Sequence, residues 1–177
     1  MTFGSASIVI ERILILLTNP TEKQSVNAIF ETASYIPVYE QDLKEALSDI
    51  VIFSPTLGKH KVMHLLTLLK ERQEAGVNVT IVTWHPNVYR YSTETHRLEL
   101  IEAMRNAGFN IELIEDNCQC YAIFDNEIVW YGSMNLLSKD NFEDNIMRVI
   151  SKHIATELLE MTFKKGNQVK QYTLPLV

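Results

Sequence analysis

A chain of 177 residues, 46% hydrophobic and 21% charged, has the length and make-up of one soluble globular domain with a sizeable core. Its longest apolar run, Ile13 to Leu17, is far too short to span a bilayer, and its start, Met1-Thr2-Phe3-Gly4-Ser5, lacks the basic lead and long apolar core of a secretory signal. A net charge of −6 disfavours broad, charge-driven binding to nucleic acid, though not a local basic groove.

In chain order, Ser7 to Leu17 is apolar with Glu11 and Arg12 inside it, and suits a helix or a strand. Asn19-Pro20-Thr21 breaks the chain, and Val26 to Phe30 reads as a short strand. Pro37 sits well in the first turn of a helix over Val38 to Leu47. Ile50-Val51-Ile52-Phe53 is a continuous apolar run of the kind buried on both faces, and it stops at Ser54-Pro55. A second helix is expected from Lys59 to Ala75, with Val62, Leu65, Leu66 and Leu69 as its core stripe and Gly76 as its stop. Val77 to Thr83 is the next strand and Trp84 to Asn87 a loop. Thr93 to Ala107 follows as a helix ending at Gly108, then Asn110 to Ile114 as a strand. Past the segment 118–135, Ile146 to Ile150 makes a further strand and His153 to Phe163 a closing helix. Strand and helix alternate from Asp49 to Ile114, which implies right-handed crossovers and a parallel core. The expected fold is α/β: a mixed, largely parallel sheet with helices on both faces, in a single domain over residues 1–177.

The most informative stretch is Cys118-Gln119-Cys120-Tyr121-Ala122-Ile123-Phe124-Asp125, followed by Asn126 to Trp130 and then Tyr131-Gly132-Ser133-Met134-Asn135. Tyr121 to Phe124 and Ile128 to Tyr131 are aromatic and β-branched runs, and the polar residues between them suit a tight turn. The second strand ends at Gly132, read as a backbone position needing unusual torsions, which presents Ser133 and Asn135 as polar side chains. Alternation puts Cys118 and Cys120 on one face of the first strand. With both cysteines in one Cys-x-Cys there is no spaced disulfide framework, which points to the cytoplasm.

This stretch resembles the signature of the phospholipase D superfamily: His-x-Lys-x-x-x-x-Asp, a short hydrophobic strand, then Gly-Ser-x-Asn, with an acidic residue downstream. Asp125 matches the aspartate, Gly132-Ser133-Met134-Asn135 the second element, and Asp144 the acidic position. In wording the stretch is most similar to the phospholipase D-like domains at the ends of bacterial helicase-like proteins. The likeness is strongest over 37–161. The histidine and lysine positions, however, hold Cys118 and Cys120.

In such a family the histidine attacks phosphorus while lysine and asparagine hold the phosphoryl oxygens, so a nucleophile and positive charge are both required. The resemblance implies that Cys118 and Cys120 stand at the catalytic positions without the usual chemistry. Cys118 could serve as a thiolate nucleophile only if its pKa were lowered, and the lysine that might have lowered it has itself become Cys120. The preferred reading is two small buried side chains filling the vacated space. A Cys-x-Cys half-site for zinc or copper, with His85 as a partner, is weaker, and neither a metal nor another cofactor is expected.

Ser133 and Asn135 are the phosphate-binding candidates, set against a turn in which both bond local backbone. Asp125, Gly132 and Asp144 are expected to support the site, with Asp125 bracing the hairpin turn. Trp84 and His85, past the end of a sheet strand, are candidates for lining the pocket. His60 and His64, four apart on one helix, are expected to be solvent-exposed, as are the lysines at 59, 61, 70, 164, 165 and 170 and Arg72.

The expected function is therefore a degenerate, noncatalytic phospholipase D-like domain that binds a phosphate-containing ligand, nucleic acid among them, or a helicase-like or other protein partner. The alternatives are an active phosphodiesterase or nuclease with an unconventional nucleophile and a structural dimerisation module. One motif per chain, where the family uses two, implies a homodimer, and no membrane association is expected.

Overall fold

The computed structural model describes residues 27–88, 94–115, 118–139 and 143–166. The apolar stretch 7–17, the break at 19–21 and Lys170 lie outside them. The elements are β1 (Ala28–Glu31), α1 (Ile36–Glu45), β2 (Asp49–Phe53), α2 (Lys59–Glu74), β3 (Asn78–Trp84), a 3-10 turn (Pro86–Val88), α3 (Glu94–Asn106) and β4 (Asn110–Ile114). They continue through β5 (Cys120–Phe124), β6 (Ile128–Gly132), β7 (Asn145–Ile150) and α4 (Lys152–Gly166).

The described strands form one seven-stranded sheet in the order β1-β7-β6-β5-β2-β3-β4. β2, β3 and β4 pair in parallel, as the alternation of strand and helix implies. The other pairings are antiparallel. Five strands point one way and only β5 and β7 the other, so the sheet is mixed, parallel by strand direction yet antiparallel in most of its pairings. The antiparallel half starts at the hairpin: Glu127 N donates to Phe124 O at 3.0 Å, and Asp125 and Asn126 take φ of 52° and 53°. Two left-handed residues make the turn whose twist matches the flanking strands, and Asp and Asn tolerate that conformation better than other side chains.

Period-two alternation divides the sheet's apolar residues between two cores. Ile50 and Ile52 of β2, with Ala122 and Phe124 of β5, face α1, α2 and α3, which contribute Val38, Leu43, Val62, Leu65, Leu69, Leu100, Ile101 and Met104. Phe53, Tyr121, Ile123 and Val129 face the other way, onto Ala155 and Leu158 of α4. Among the described residues, helices therefore cover both faces, three on one and one on the other.

A charged cluster lies inside the larger core. Arg148 of β7 donates from Nε to Asp42 Oδ2 at 2.6 Å and through its second guanidinium arm to Oδ1 at 2.8 Å, while Trp130 Nε1 donates to Oδ2 at 2.8 Å. Asp42, Trp130 and Arg148 are all buried. Two buried charges are tolerable here because a two-pronged pair and an indole N–H satisfy the carboxylate. The cluster fixes α1 to β6 and β7, and so to the hairpin.

Among the described residues no helix is long and apolar enough to cross a membrane.

Candidate functional site

The carboxyl ends of β2, β3 and β6 and the amino ends of β5 and β7 share one edge of the sheet, because Phe53 pairs with Tyr121, Cys120 with Gly132, and Gly132 with Ile146. Loops at such an edge commonly form ligand clefts. Here the edge gathers Cys120, Gly132, Ser133, Asn135 and Asp144.

Gly132 does not adopt unusual torsions, contrary to the sequence-based expectation: the glycines with positive φ among the described residues are Gly76 and Gly108. What requires glycine at 132 is close approach, since a Cβ there would run into the Asn145 carbonyl oxygen and come within 2.8 Å of Ile146 Cα. β6 and β7 thus touch backbone to backbone where the site begins.

Ser133 and Asn135 are both engaged by neighbours. Ser133 Oγ accepts from Asn145 N at 3.1 Å and lies 3.4 Å from Asn145 O, while Ser133 N donates to that same carbonyl at 3.1 Å. Asn135 turns toward β2: its Oδ1 is hydrogen-bonded to Ser54 Oγ, and its Nδ2 donates to Thr56 Oγ1 at 2.5 Å. The fully buried Ser54 also accepts from Leu137 N at 3.0 Å. Ser54 and Thr56 were not singled out as site residues from sequence, where Ser54-Pro55 read only as a strand stop. A hydroxyl pair just past the carboxyl end of β2 was the available signal.

The thiols depart from the expectation of two buried side chains. Cys118 is exposed and precedes β5, and Cys120, the first residue of β5, is half-buried; both are free. Burial pushes the Cys120 thiol up to about 11, and the negative charges of Asp144 and Cys118 add to the effect. Asp144 therefore lies close enough to act on Cys120, and the three form one cluster whose influence on the thiol is acidic. Such a setting disfavours a thiolate rather than activating it.

At the opposite end of the hairpin Asp125 accepts hydrogen bonds from Leu47 N, Ser48 N, Ser48 Oγ and Asp49 N, at 2.7 to 3.2 Å. Burial alone would raise its pKa, but the bonds from Ser48, Leu47 and Asp49 outweigh it and hold the carboxyl below its ordinary value. Asp125 is thereby tied to the start of β2, away from the thiols.

His85 is buried, and its Nδ1 accepts from Asn87 N at 3.2 Å. Neither it nor Trp84 lines the cleft of about 690 Å³ between the starts of α1 and α2 and the 136–139 loop. That cleft is instead bordered by Lys59, His60, Lys61, His64 and Lys139. His60 and His64 are exposed, as expected, and His64 Nε2 sits 2.7 Å from Glu40 Oε1. Among the described residues no three His, Cys, Asp or Glu side chains converge as a metal site.

These features invite comparison with known proteins. A search of curated proteins returns no match. Among solved structures the chain is similar to Nuc from Salmonella typhimurium, a phospholipase D family member, with TM-score 0.64 and 19% identity over 84% of this chain and 99% of that one. It is also similar to NucT from Helicobacter pylori, with TM-score 0.56 and 13% identity over 78% and 94% of the two chains. TrmBL2, described as an archaeal chromatin protein with a novel mode of DNA binding, matches at TM-score 0.60 and 11% identity over 94% of this chain and 60% of that one. Likeness at these identities speaks to the fold. The model of the family described as "Cardiolipin synthase, PLD-like domain" matches residues 39–166, well over half the sequence, and the chain belongs to that phospholipase D-like family.

Proposed function

We propose that this chain is a noncatalytic phospholipase D-like domain that binds a phosphate-containing ligand, nucleic acid foremost, at the carboxyl edge of its sheet. The observation that carries this reading is the setting of Cys120: a half-buried thiol, pushed up to about 11 by burial, Asp144 and Cys118, stands where the family has a cationic lysine. Neither a nucleophile matched to phosphorus nor positive charge for the oxyanion is supplied there.

In this reading Ser133 and Asn135 border the phosphate pocket, and their bonds to Asn145, Ser54 and Thr56 keep the loop in shape. Gly132 and Asp125 support it from the two ends of β6 and β5, and Asp144 is a carboxylate that has lost its histidine partner. Nucleic acid is favoured over other phosphates because the fold's neighbours include a DNA-binding chromatin protein. A second copy of the chain, paired across a twofold axis as two-motif chemistry requires, completes the proposal. A helicase-like or other protein partner is its looser form. Free cysteines favour a cytoplasmic setting.

A second reading, a phosphodiesterase or nuclease using Cys118, is favoured by one observation, the exposure of that thiol. The deciding experiment pairs turnover with binding. The purified chain should release nothing above background from bis-p-nitrophenyl phosphate or single-stranded DNA, with or without divalent metal, while a short oligonucleotide binds measurably by calorimetry. Turnover abolished by Cys118→Ser would establish the thiol enzyme. In the variant carrying Cys118→His and Cys120→Lys, a charge-assisted bond should raise phosphate affinity by roughly tenfold to a hundredfold before any hydrolysis appears. A normally folded double variant with unchanged affinity, together with no oligonucleotide binding, would leave the structural dimerisation module, which light scattering reads directly.

A further inference from the structure

The sheet face that carries α4 is only half covered. α4 packs Ala155 and Leu158 on Phe53, Tyr121, Ile123 and Val129, toward the middle of the sheet. Registered partners on neighbouring strands share a face, so the row Tyr121, Tyr131, Met147 and Ile29 runs on this side from β5 to the edge strand β1. Tyr121 is buried, whereas Tyr131 is 41%, Met147 39% and Ile29 74% exposed.

A groove of about 200 Å³ lies along this open half. Its floor is Val129, Tyr131, Met147 and Val149, and its wall is Ile154, Leu158 and Met161, spaced i, i+4, i+7 on one side of α4. Among the described residues no charged side chain lines it. A contiguous exposed apolar surface of this kind marks an interaction site.

The chain itself supplies an occupant. Asn27 Oδ1 accepts from Ile150 N at 3.0 Å, so the residues before β1 enter next to the end of β7, one position past the groove residue Val149. Nine residues, 18–26, separate that point from the apolar stretch 7–17, and nine extended residues reach about 30 Å. In that stretch Val9, Ile10, Ile13, Leu16 and Leu17 stand at i, i+1, i+4, i+7 and i+8, the spacing of one apolar helical stripe, with Glu11 opposite. Eleven residues at helical rise measure about 16 Å, enough to span the wall from Ile154 to Met161, which at the same rise is about 10 Å long. A tether of this length sets an effective concentration on the order of millimolar, an advantage that neither a second copy of the chain nor a free partner has.

We propose that the groove beside α4 is the docking site of the chain's own residues 7–17, whose aliphatic stripe covers Tyr131, Met147 and Ile154 and completes the layer over β6 and β7. The proposal does not depend on phosphate binding, because none of Cys118, Ser133, Asn135 and Asp144 lines the groove.

Two measurements on the full chain test it. The first is a photo-cross-link from p-benzoylphenylalanine in place of Tyr131, mapped by mass spectrometry. The cross-link should fall within residues 7–17 and leave the chain at its monomer mass. A dimer-mass product, a cross-link to residues 167–177, or none at all would overturn the proposal. The second is amide hydrogen exchange, which needs no probe. Residues 7–17 should exchange at least about tenfold more slowly than the same sequence as a free peptide, and Met147→Glu should remove that protection while sparing β2 and β3, since a carboxylate on the groove floor opposes an aliphatic cover. Exchange at the free-peptide rate in the unaltered chain, or protection that survives Met147→Glu, would show that the segment does not sit there.

Discussion

The two ends of the β5–β6 hairpin are built on opposite principles. At the turn, Asp125 is a satisfied anion, receiving bonds from three backbone amides and one hydroxyl, and it bolts the hairpin to the start of β2. At the far end, Cys120 is a neutral thiol kept neutral by burial and by neighbouring acid. Between them Trp130 of β6 donates to the buried Asp42, which also pairs with Arg148. Polar groups that hold the hairpin in place are paired, whereas the thiols at its other end, proposed above to stand at the family's reactive positions, supply no positive charge for phosphate. The frame and the chemistry of the site are thus physically separable, and substitutions can be ranked by which of them they touch.

The largest effect is expected at the middle of the hairpin. Asp42→Ala removes the carboxylate that pairs with the buried Arg148, which should cost about 3–5 kcal/mol of stability. Urea denaturation measures it directly. A midpoint close to that of the unaltered chain would mean that water reaches the guanidinium and that the pair is not what anchors β7 to α1.

Gly132→Ala comes next. The added methyl meets the β7 backbone rather than a flexible side chain, so strands must part, at about 2–3 kcal/mol. Because that contact lies at the site end, this variant should also lose oligonucleotide binding even where it remains folded. Retained binding in a destabilised chain would separate the β6–β7 contact from the phosphate pocket.

These two positions also mark what a sequence can and cannot disclose. The hairpin and the three parallel strands, the run Asn110–Ile114 among them, were legible because turn residues, β-branched runs and alternation are local signals. The glycine was legible as a special position, but for the wrong reason: a torsional need was expected, and the cause is a neighbouring strand 13 or more residues away in the chain. Arg148 gave a readable hint, standing on the inward side of β7 in step with buried Ile146. Its partner did not, since Asp42 lies 106 residues earlier on a helix whose rotation no local pattern fixes. At the site, motif order placed Ser133, Asn135 and Asp144 together, but the hydroxyls of Ser54 and Thr56 that hold Asn135 come from β2's end and its following loop, brought there only by the sheet order.

A smaller effect is expected at the turn. Asp125→Asn keeps a residue tolerant of positive φ but removes the charge, costing about 1–2 kcal/mol at neutral pH, because the carboxylate is only partly buried. The pH dependence follows from the sign of the shift. The folded pKa lies below the unfolded value, so the native state releases its proton more readily, and the stabilisation is complete above the unfolded pKa. It is lost as pH falls through the folded one. The difference in stability between the two chains should therefore shrink on acidification below about pH 4. A gap that stays constant into strong acid would mean that the anion is not the species bracing the turn.

The smallest effect on stability belongs to the thiol end, and it is the most telling about function. Cys118→Ser leaves one thiol in the chain, and its ionisation can be followed by thiolate absorbance near 240 nm. The midpoint should stay raised above the ordinary thiol value, by burial first and by Asp144 next. Replacing Asp144 with Asn should move it down, since a like charge no longer opposes the thiolate. Here the linkage runs opposite to that of Asp125. The folded pKa is raised, so the contribution to stability is full below the unfolded thiol pKa and declines as pH rises through 11, a loss confined to alkaline conditions. Cys120→Ser should accordingly change stability at neutral pH by less than about 1 kcal/mol. A Cys120 midpoint near the free-thiol value of about 8.5 would break the contrast between the hairpin's two ends. A thiol that ionises so readily could be recruited as a nucleophile or a phosphate sensor, and the case for a chain that binds without turnover would lose the observation it stands on.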